Sequence, residues 1–107
     1  MSRKPGSNVN GKSFSLQMIE TVWNKGVIVP GINPSEKRKD SCGAYIERNQ
    51  YNVNQDNGTG WEIDHVKPVS LGGNDDISNL QPLQWQNNRS KADNYPGDVC
   101  SEEAEAG

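Results

Sequence analysis

The chain of 107 residues has one histidine, His65, and it directly follows an aspartate, Asp64. Amide side chains occur further along at Asn79 and at Asn88, which begins the run NRSK. An aspartate oxygen together with an amide oxygen suits a hard divalent cation such as Mg²⁺, which keeps several of its waters. A neutral imidazole can take a proton from water, because its unperturbed pKa of about 6.5 is close to working pH.

Basic side chains accompany this set. Arg89 and Lys91 follow Asn88 closely, so a helix over this segment would carry all three. Such side chains can hold a phosphate, or they can form an ordinary solvated helix face. If they converge with the carboxylate and the imidazole, the set has the parts that metal-assisted phosphodiester hydrolysis requires.

The elements that must position these groups follow from the hydrophobic pattern. Residues 61–66 alternate between the two faces of a predicted strand. Residues 71–76, LGGNDD, are predicted to form a loop, and residues 80–84, LQPLQ, a second short strand. Residues 85–93 contain no helix breaker, so we predict a helix of about two turns that ends before Pro96. The order is strand, loop, strand, helix.

The first half of the chain predicts a helix and a hairpin. Residues 14–24, FSLQMIETVWN, place apolar side chains at helical spacing, with Ser13 or Ser15 as the cap. Residues 27–40 carry two prolines and two turn signals, so we predict a loop there after a short extended piece. Residues 43–53 are predicted to form one or two short strands.

The length is sufficient for one domain, and an apolar fraction of 31% predicts a small core. Residues 1–13 are polar and rich in Gly, Ser and Asn, and residues 97–107 are small and acidic. We predict that both are flexible tails. The folded domain is then expected over residues 14–96, with the strand–strand–helix unit at 61–93.

The net charge of -3 argues only mildly against an anionic partner. Four of the 14 acidic residues lie in residues 98–107, where there is no basic residue, and the remainder of the chain is near neutral. The sign of the whole chain therefore decides little about what it binds.

Two cysteines, Cys42 and Cys100, are too few for a disulfide framework or for a zinc site of four thiolates. We interpret them as free thiols. No apolar run approaches the roughly 18 residues of a membrane span, and no signal peptide is visible. We therefore expect a cytoplasmic protein, of bacterial or phage origin, with no membrane association.

The run IDHVKPVSLGGNDDISNLQPLQWQNNRSKAD resembles the HNH endonuclease family. The resemblance combines an Asp-His pair, a proline three residues after the histidine, a Gly-Gly loop, an Asn-Leu pair and an Asn-x-x-Lys on the helix. It implies a small α+β domain with a ββα-metal motif, preceded here by the N-terminal helix and short hairpin.

The resemblance also implies roles for individual residues. His65 would be the general base that activates water, and Asp64 and Asn88 would bind the metal, which makes this an HNN variant. Asn79 would tie the loop and orient the histidine. We expect the end of the strand that carries His65 to face solvent, so that replacing this residue leaves the fold intact. The implied nucleic-acid contacts are Lys67, Arg89 and Lys91.

The sequence departs from the family pattern where many HNH proteins bind a structural zinc through two Cys-x-x-Cys pairs. The second pair would fall on Gln84 and Asn87, and only Cys42 lies near the first. We therefore predict no structural zinc, and expect the first hairpin, the helix at 14–24 and the buried tryptophans Trp23, Trp61 and Trp85 to supply stability instead. The implied cofactor is one divalent metal, Mg²⁺ or Mn²⁺, with Zn²⁺ or Ni²⁺ as alternatives in the same site.

The resulting hypothesis is a divalent-metal-dependent endonuclease that nicks DNA with low sequence specificity, and acts on double-stranded or also single-stranded DNA. We expect a monomer or a weak dimer. The alternatives are a nucleic-acid-binding subunit without catalysis and a nuclease domain that is active only with a partner protein.

Overall fold

The computed structural model describes residues 4–55, 58–96 and 100–101. Within these ranges, two helices and two antiparallel two-stranded sheets follow one another, which confirms the predicted α+β class. The elements are α1 (Leu16–Trp23), β1 (Lys37–Lys39), β2 (Tyr45–Glu47), β3 (Trp61–His65), β4 (Leu80–Gln84) and α2 (Trp85–Lys91). None of the helices in this part of the chain has the length and apolar character needed to cross a membrane.

The ββα unit is formed by β3, β4 and α2. The two strands pair from Trp61 opposite Gln84 to His65 opposite Leu80. Helix α2 begins directly after β4, because the Gln84 side chain accepts hydrogen bonds from the first backbone amides of the helix. It ends at Lys91, two residues earlier than predicted, where Ala92 adopts a positive φ of 46°.

The core lies between α1 and the ββα unit. Ser15 caps α1 by accepting a hydrogen bond from the Met18 amide, as one of the two predicted caps. The Trp23 and Trp61 rings pack with their centroids 5.2 Å apart, and both side chains are buried, as expected, whereas Trp85 is only partly buried. The apolar side chains that form the core are Phe14, Ile19, Val22, Trp23, Ile46, Trp61, Ile63 and Leu80.

Residues 37–39 form a strand where a loop was predicted, and they pair with β2 from Lys37 opposite Glu47 to Lys39 opposite Tyr45. Arg38 explains why a strand forms here, because it is the buried residue of the three although it is charged. Its guanidinium donates hydrogen bonds to the carbonyl oxygens of Pro34, Asn24 and Gly26. Sequence pattern alone does not show that a charge will find such partners.

The prediction of two free thiols is wrong, because Cys42 and Cys100 form a disulfide with Cα atoms 5.7 Å apart. Beside it lies Asp40, which is 2% exposed. The Asp40 carboxylate accepts hydrogen bonds from the Gln84 backbone amide at 2.8 Å and from Asn87 Nδ2 at 2.9 Å. The positions that carry the second cysteine pair in related proteins are thus tied to a buried carboxylate.

Part of the described N-terminal segment, from Gly6 to Val9, lies against the domain, although a flexible tail is expected over 1–13. Gly6 and Ser7 are buried, and the backbone amide of Val9 donates to the Asp75 carboxylate. At the other end, the Ser101 amide donates to Asn87 Oδ1 at 2.8 Å. Most of the expected acidic tail, residues 97–99 and 102–107, lies outside the described residues.

Candidate active site

His65 ends β3 and is buried, with 3% of its surface exposed. Its ring lies 6.1 Å from the Phe14 ring, and its Nε2 atom is 2.8 Å from Oδ1 of Asp75. The expectation that this strand end faces solvent is therefore wrong. The N-terminal part of the chain and the loop before β4 cover the strand end, and neither contact is visible in the local pattern.

The Asp75 contact determines which ring nitrogen of His65 can act as a base. A carboxylate only accepts hydrogen bonds, so Nε2 of the neutral imidazole carries the proton and Nδ1 keeps its lone pair. Asp75 is itself held in place, because the Val9 backbone amide lies 3.2 and 3.3 Å from its two oxygens.

Asp64 precedes His65 on the opposite face of β3, which is the face that α2 covers. Its side chain accepts a hydrogen bond from Gln81 Nε2 at 2.8 Å, and its other oxygen lies 3.4 Å from Nζ of Lys91. Lys91 also donates to the His65 backbone carbonyl at 3.0 Å. One ammonium group therefore links α2 to both residues of the Asp-His pair.

Lys91 is only 1% exposed. This burial is at odds with the expected phosphate contact, because a buried ammonium paired with a carboxylate does not reach a duplex. Arg89 differs from it, since 37% of its side chain is exposed. Lys67 is exposed and lies in the loop after β3.

Asn88 lies on α2 and donates from Nδ2 to Oε1 of Glu62 at 2.7 Å. Arg89 donates to the same oxygen through Nη1. Glu62 occupies β3 and is 2% exposed, so one buried carboxylate binds two neighbouring side chains of the helix. Burial raises the pKa of Tyr51, with a smaller contribution in the same direction from the nearby Glu62 charge.

Asn79 closes the loop between β3 and β4. Its Oδ1 accepts from the Lys67 amide at 2.8 Å, while its Nδ2 donates to the carbonyl oxygens of Lys67 and Asn74 at 3.1 and 2.9 Å. Gly73 allows the close approach this requires, because a Cβ there would lie 1.7 Å from the Lys67 carbonyl oxygen. Asn79 thus acts on loop geometry and lies away from the cavity described next.

Four of the seven predicted site residues meet at one cavity of about 240 Å³. The four are Asp64, His65, Asn88 and Arg89, and Pro5 and Gly6 of the N-terminal segment line the same cavity. The structure does not bring Lys67, Asn79 or Lys91 into this lining.

The donors at the cavity fit a hard divalent metal. Asp64 would supply a carboxylate oxygen and Asn88 an amide oxygen, which are ligand types that Mg²⁺ and Mn²⁺ accept while keeping waters. Over the described ranges, no cluster of three or more His, Cys, Asp or Glu side chains is placed to hold a metal.

An antiparallel strand pair followed by a helix, with an Asp-His pair on one strand and an amide on the helix, defines a ββα-metal type of domain. The model of the HNH endonuclease family matches residues 41–94, which is half of the chain. The chain therefore belongs to the HNH endonuclease family, as the sequence predicted. It has no significant match among curated proteins or among solved structures.

Three carboxylates that hold other side chains in place were not predicted from the sequence, namely Glu62, Asp75 and Asp40. Glu62 precedes Asp64 by two residues and therefore lies on the same face of β3. That spacing could have indicated from the sequence that Glu62 lies near the site. Asp75 and Asp40 lie in loops, and their partners are distant in sequence. Only the packing of the chain reveals what those two residues bind.

Proposed function

We propose that this protein is a divalent-metal-dependent endonuclease that hydrolyses DNA phosphodiester bonds. The observation that carries the proposal is that Asp64, His65 and Asn88 line one cavity while Asp75 holds Nε2 of the same histidine. Membership in the HNH family supports the reaction class. The basic group at the cavity, Arg89, supports an anionic substrate.

His65 takes a proton from water at Nδ1 as the water attacks phosphorus. The imidazolium that forms is stabilised by the Asp75 carboxylate at Nε2, so the ring keeps its orientation through proton transfer. Arg89 binds a non-bridging phosphate oxygen. A divalent metal held by Asp64 and Asn88 would neutralise charge on the phosphate and on the departing 3′ oxygen. The bond between phosphorus and the 3′ oxygen breaks, and the departing oxygen takes a proton from solvent water. The products are 5′-phosphate and 3′-hydroxyl ends, and His65 returns its proton to solvent.

The substrate range follows from one candidate active site among the described residues. One site cuts one strand in each encounter, so the protein nicks duplex DNA and accepts single-stranded DNA where it can reach the cavity. Linear product from a plasmid then requires independent later nicks, unless two copies pair their sites.

The test is incubation of the purified protein with supercoiled plasmid and Mg²⁺, Mn²⁺, Zn²⁺ or Ni²⁺, with EDTA as the control. Open circles should accumulate before linear DNA, and Asp64→Asn and His65→Gln should remove the activity. Binding to DNA without cleavage under every metal would favour the non-catalytic subunit. Cleavage that appears only on adding host extract would favour a nuclease domain that needs a partner.

A further inference from the structure

We propose that Glu62 is a positioning residue that sets the orientation of the Asn88 carboxamide, so that Asn88 turns its oxygen toward the metal cavity. The inference deepens the proposed function and rests on it. An asparagine is a metal ligand only through Oδ1, whereas its Nδ2 repels a cation. A neighbouring group must therefore prevent the Asn88 amide from exchanging the positions of Oδ1 and Nδ2.

The Glu62 carboxylate is the group that prevents the Asn88 amide from reversing. Its buried Oε1 lies 2.7 Å from Nδ2 of Asn88, and an ionised carboxylate has no proton to donate. The reversed amide would place Oδ1 against the carboxylate, with two acceptors in contact and no hydrogen between them. The stable orientation leaves Oδ1 at the opposite edge of the planar amide, away from Glu62, and Asn88 lines the cavity.

The surroundings of Glu62 indicate that it supports the cavity from behind. The cavity shared by Asp64, His65 and Asn88 is not lined by Glu62 among the described residues. Glu62 instead lines a neighbouring depression of about 250 Å³ with Lys4, Asn52 and Asn54. Its role is therefore to bind a ligand residue, and it is not placed as a ligand beside Asp64.

The N-terminal segment keeps Glu62 in place. Gly6 has a φ of +77°, and a Cβ at this position would lie 3.3 Å from Cβ of Glu62 and 3.1 Å from Oδ1 of Asn52. Backbone without a side chain can thus pack directly over the glutamate. This packing, together with the contacts from Asn88 and Arg89, accounts for the 2% exposure of Glu62.

The test measures Mn²⁺ binding to the full-length protein without DNA, by electron paramagnetic resonance of the free ion. Glu62→Gln should weaken binding roughly 10-fold or more, as loss of a ligand's hydrogen-bond partner commonly does. The reason is that the glutamine amide can donate to Asn88 Oδ1 and so permits the reversed orientation. In an Asn88→Asp background either oxygen can face the cavity, so Glu62→Gln should not weaken binding there.

Equal weakening in both backgrounds would overturn the proposal, because Glu62 would then act through its charge or as a direct ligand. No weakening in the Asn88 background would also overturn it. Arg89→Gln is the matched control, since Arg89 binds the same Glu62 oxygen. It should leave Mn²⁺ affinity unchanged or tighter, and a loss as large as that of Glu62→Gln would mean that the Arg89 ion pair carries the effect.

Thermal unfolding verifies that each variant is folded. If the Glu62→Gln variant does not fold, Glu62→Asp is used in its place. Its shorter side chain keeps the charge but withdraws the hydrogen-bond acceptor from Asn88. Failure of this inference is distinct from failure of the proposed function. If the parental protein binds Mn²⁺ and nicks DNA, and the Glu62 variants bind Mn²⁺ equally well, only the proposed role of Glu62 is overturned.

Discussion

The Nε2 atom of His65 lies 2.8 Å from Oδ1 of Asp75, ten residues further along the chain. The pair joins the end of β3 to the loop that precedes β4. It gives the proposed base a defined tautomer, with Nδ1 as the proton acceptor.

Replacing Asp75 with asparagine should lower the cleavage rate. The asparagine amide can donate to Nε2, which would move the imidazole proton to Nδ1 and block the base. We expect a loss of roughly 10²–10⁴-fold in rate, the range typical of general-base removal. The measurement is the initial nicking rate, with Asp76→Asn as the control, since Asp76 is the exposed neighbour. Equal rates for both variants would remove Asp75 from the mechanism.

Replacing His65 with alanine should affect both activity and stability. Loss of the base should reduce the nicking rate roughly 10²–10⁴-fold. Since the imidazole is buried and packs near Phe14, the free energy of unfolding should also fall by about 1–3 kcal/mol. Denaturant unfolding measures the second effect, and His65→Gln should show the rate loss with a smaller stability loss. An alanine variant that nicks at the parental rate would contradict the proposed role of His65.

Replacing Lys91 with methionine should destabilise the metal-free protein, because Asp64 loses a buried cationic partner. Breaking such a pair commonly costs about 3–5 kcal/mol. Adding Mn²⁺ should raise the Tm of Lys91→Met more than that of the parental protein, because a divalent cation beside Asp64 compensates the same charge. An equal shift in Tm would place the metal away from Asp64.

The salt dependence of DNA binding should separate Arg89 from Lys91. Removal of one phosphate contact reduces the slope of log affinity against log salt by about 1. We expect that reduction for Arg89→Gln and not for Lys91→Met, because Lys91 is buried. Binding is measured in Ca²⁺ to prevent cleavage. A reduced slope for Lys91→Met would show that the ammonium reaches DNA after all.

Reduction of the Cys42–Cys100 disulfide should lower stability, since the bridge joins residues separated by 58 positions. Loss of such a link typically costs about 2–4 kcal/mol. Cys42→Ser and a reducing agent should give similar decreases in Tm, and the reducing agent should not affect the serine variant further. Disulfides persist in oxidising compartments, so thiol labelling of protein taken from cells also tests the expected cytoplasmic location.

The family resemblance identified the site because HNH chemistry is concentrated in one contiguous segment. The Asp-His pair, the loop asparagine and the helix amide lie within 25 residues of one another in the chain, and the turn glycines and strand alternation between them are local signals. Strand β4 was predicted with the bounds that the structure has. The signals for these elements act over a few residues, so the sequence pattern is sufficient to find the unit.

Contacts between distant segments were missed because local sequence pattern carries no information on partners far along the chain. Arg38, Asp40 and Glu62 are charged residues that local pattern assigns to the surface, yet each is buried because a partner arrives from another part of the chain.

From the sequence by itself, the ββα unit, its Asp-His pair and the helix amide could be derived, because periodicity and turn chemistry act over a few residues. Only the tertiary structure decided that Lys91 is buried against Asp64, that Asp75 holds His65, and that Glu62 holds Asn88. A buried charge is stable only when a specific partner compensates its lost hydration, and that partner is selected by packing in three dimensions.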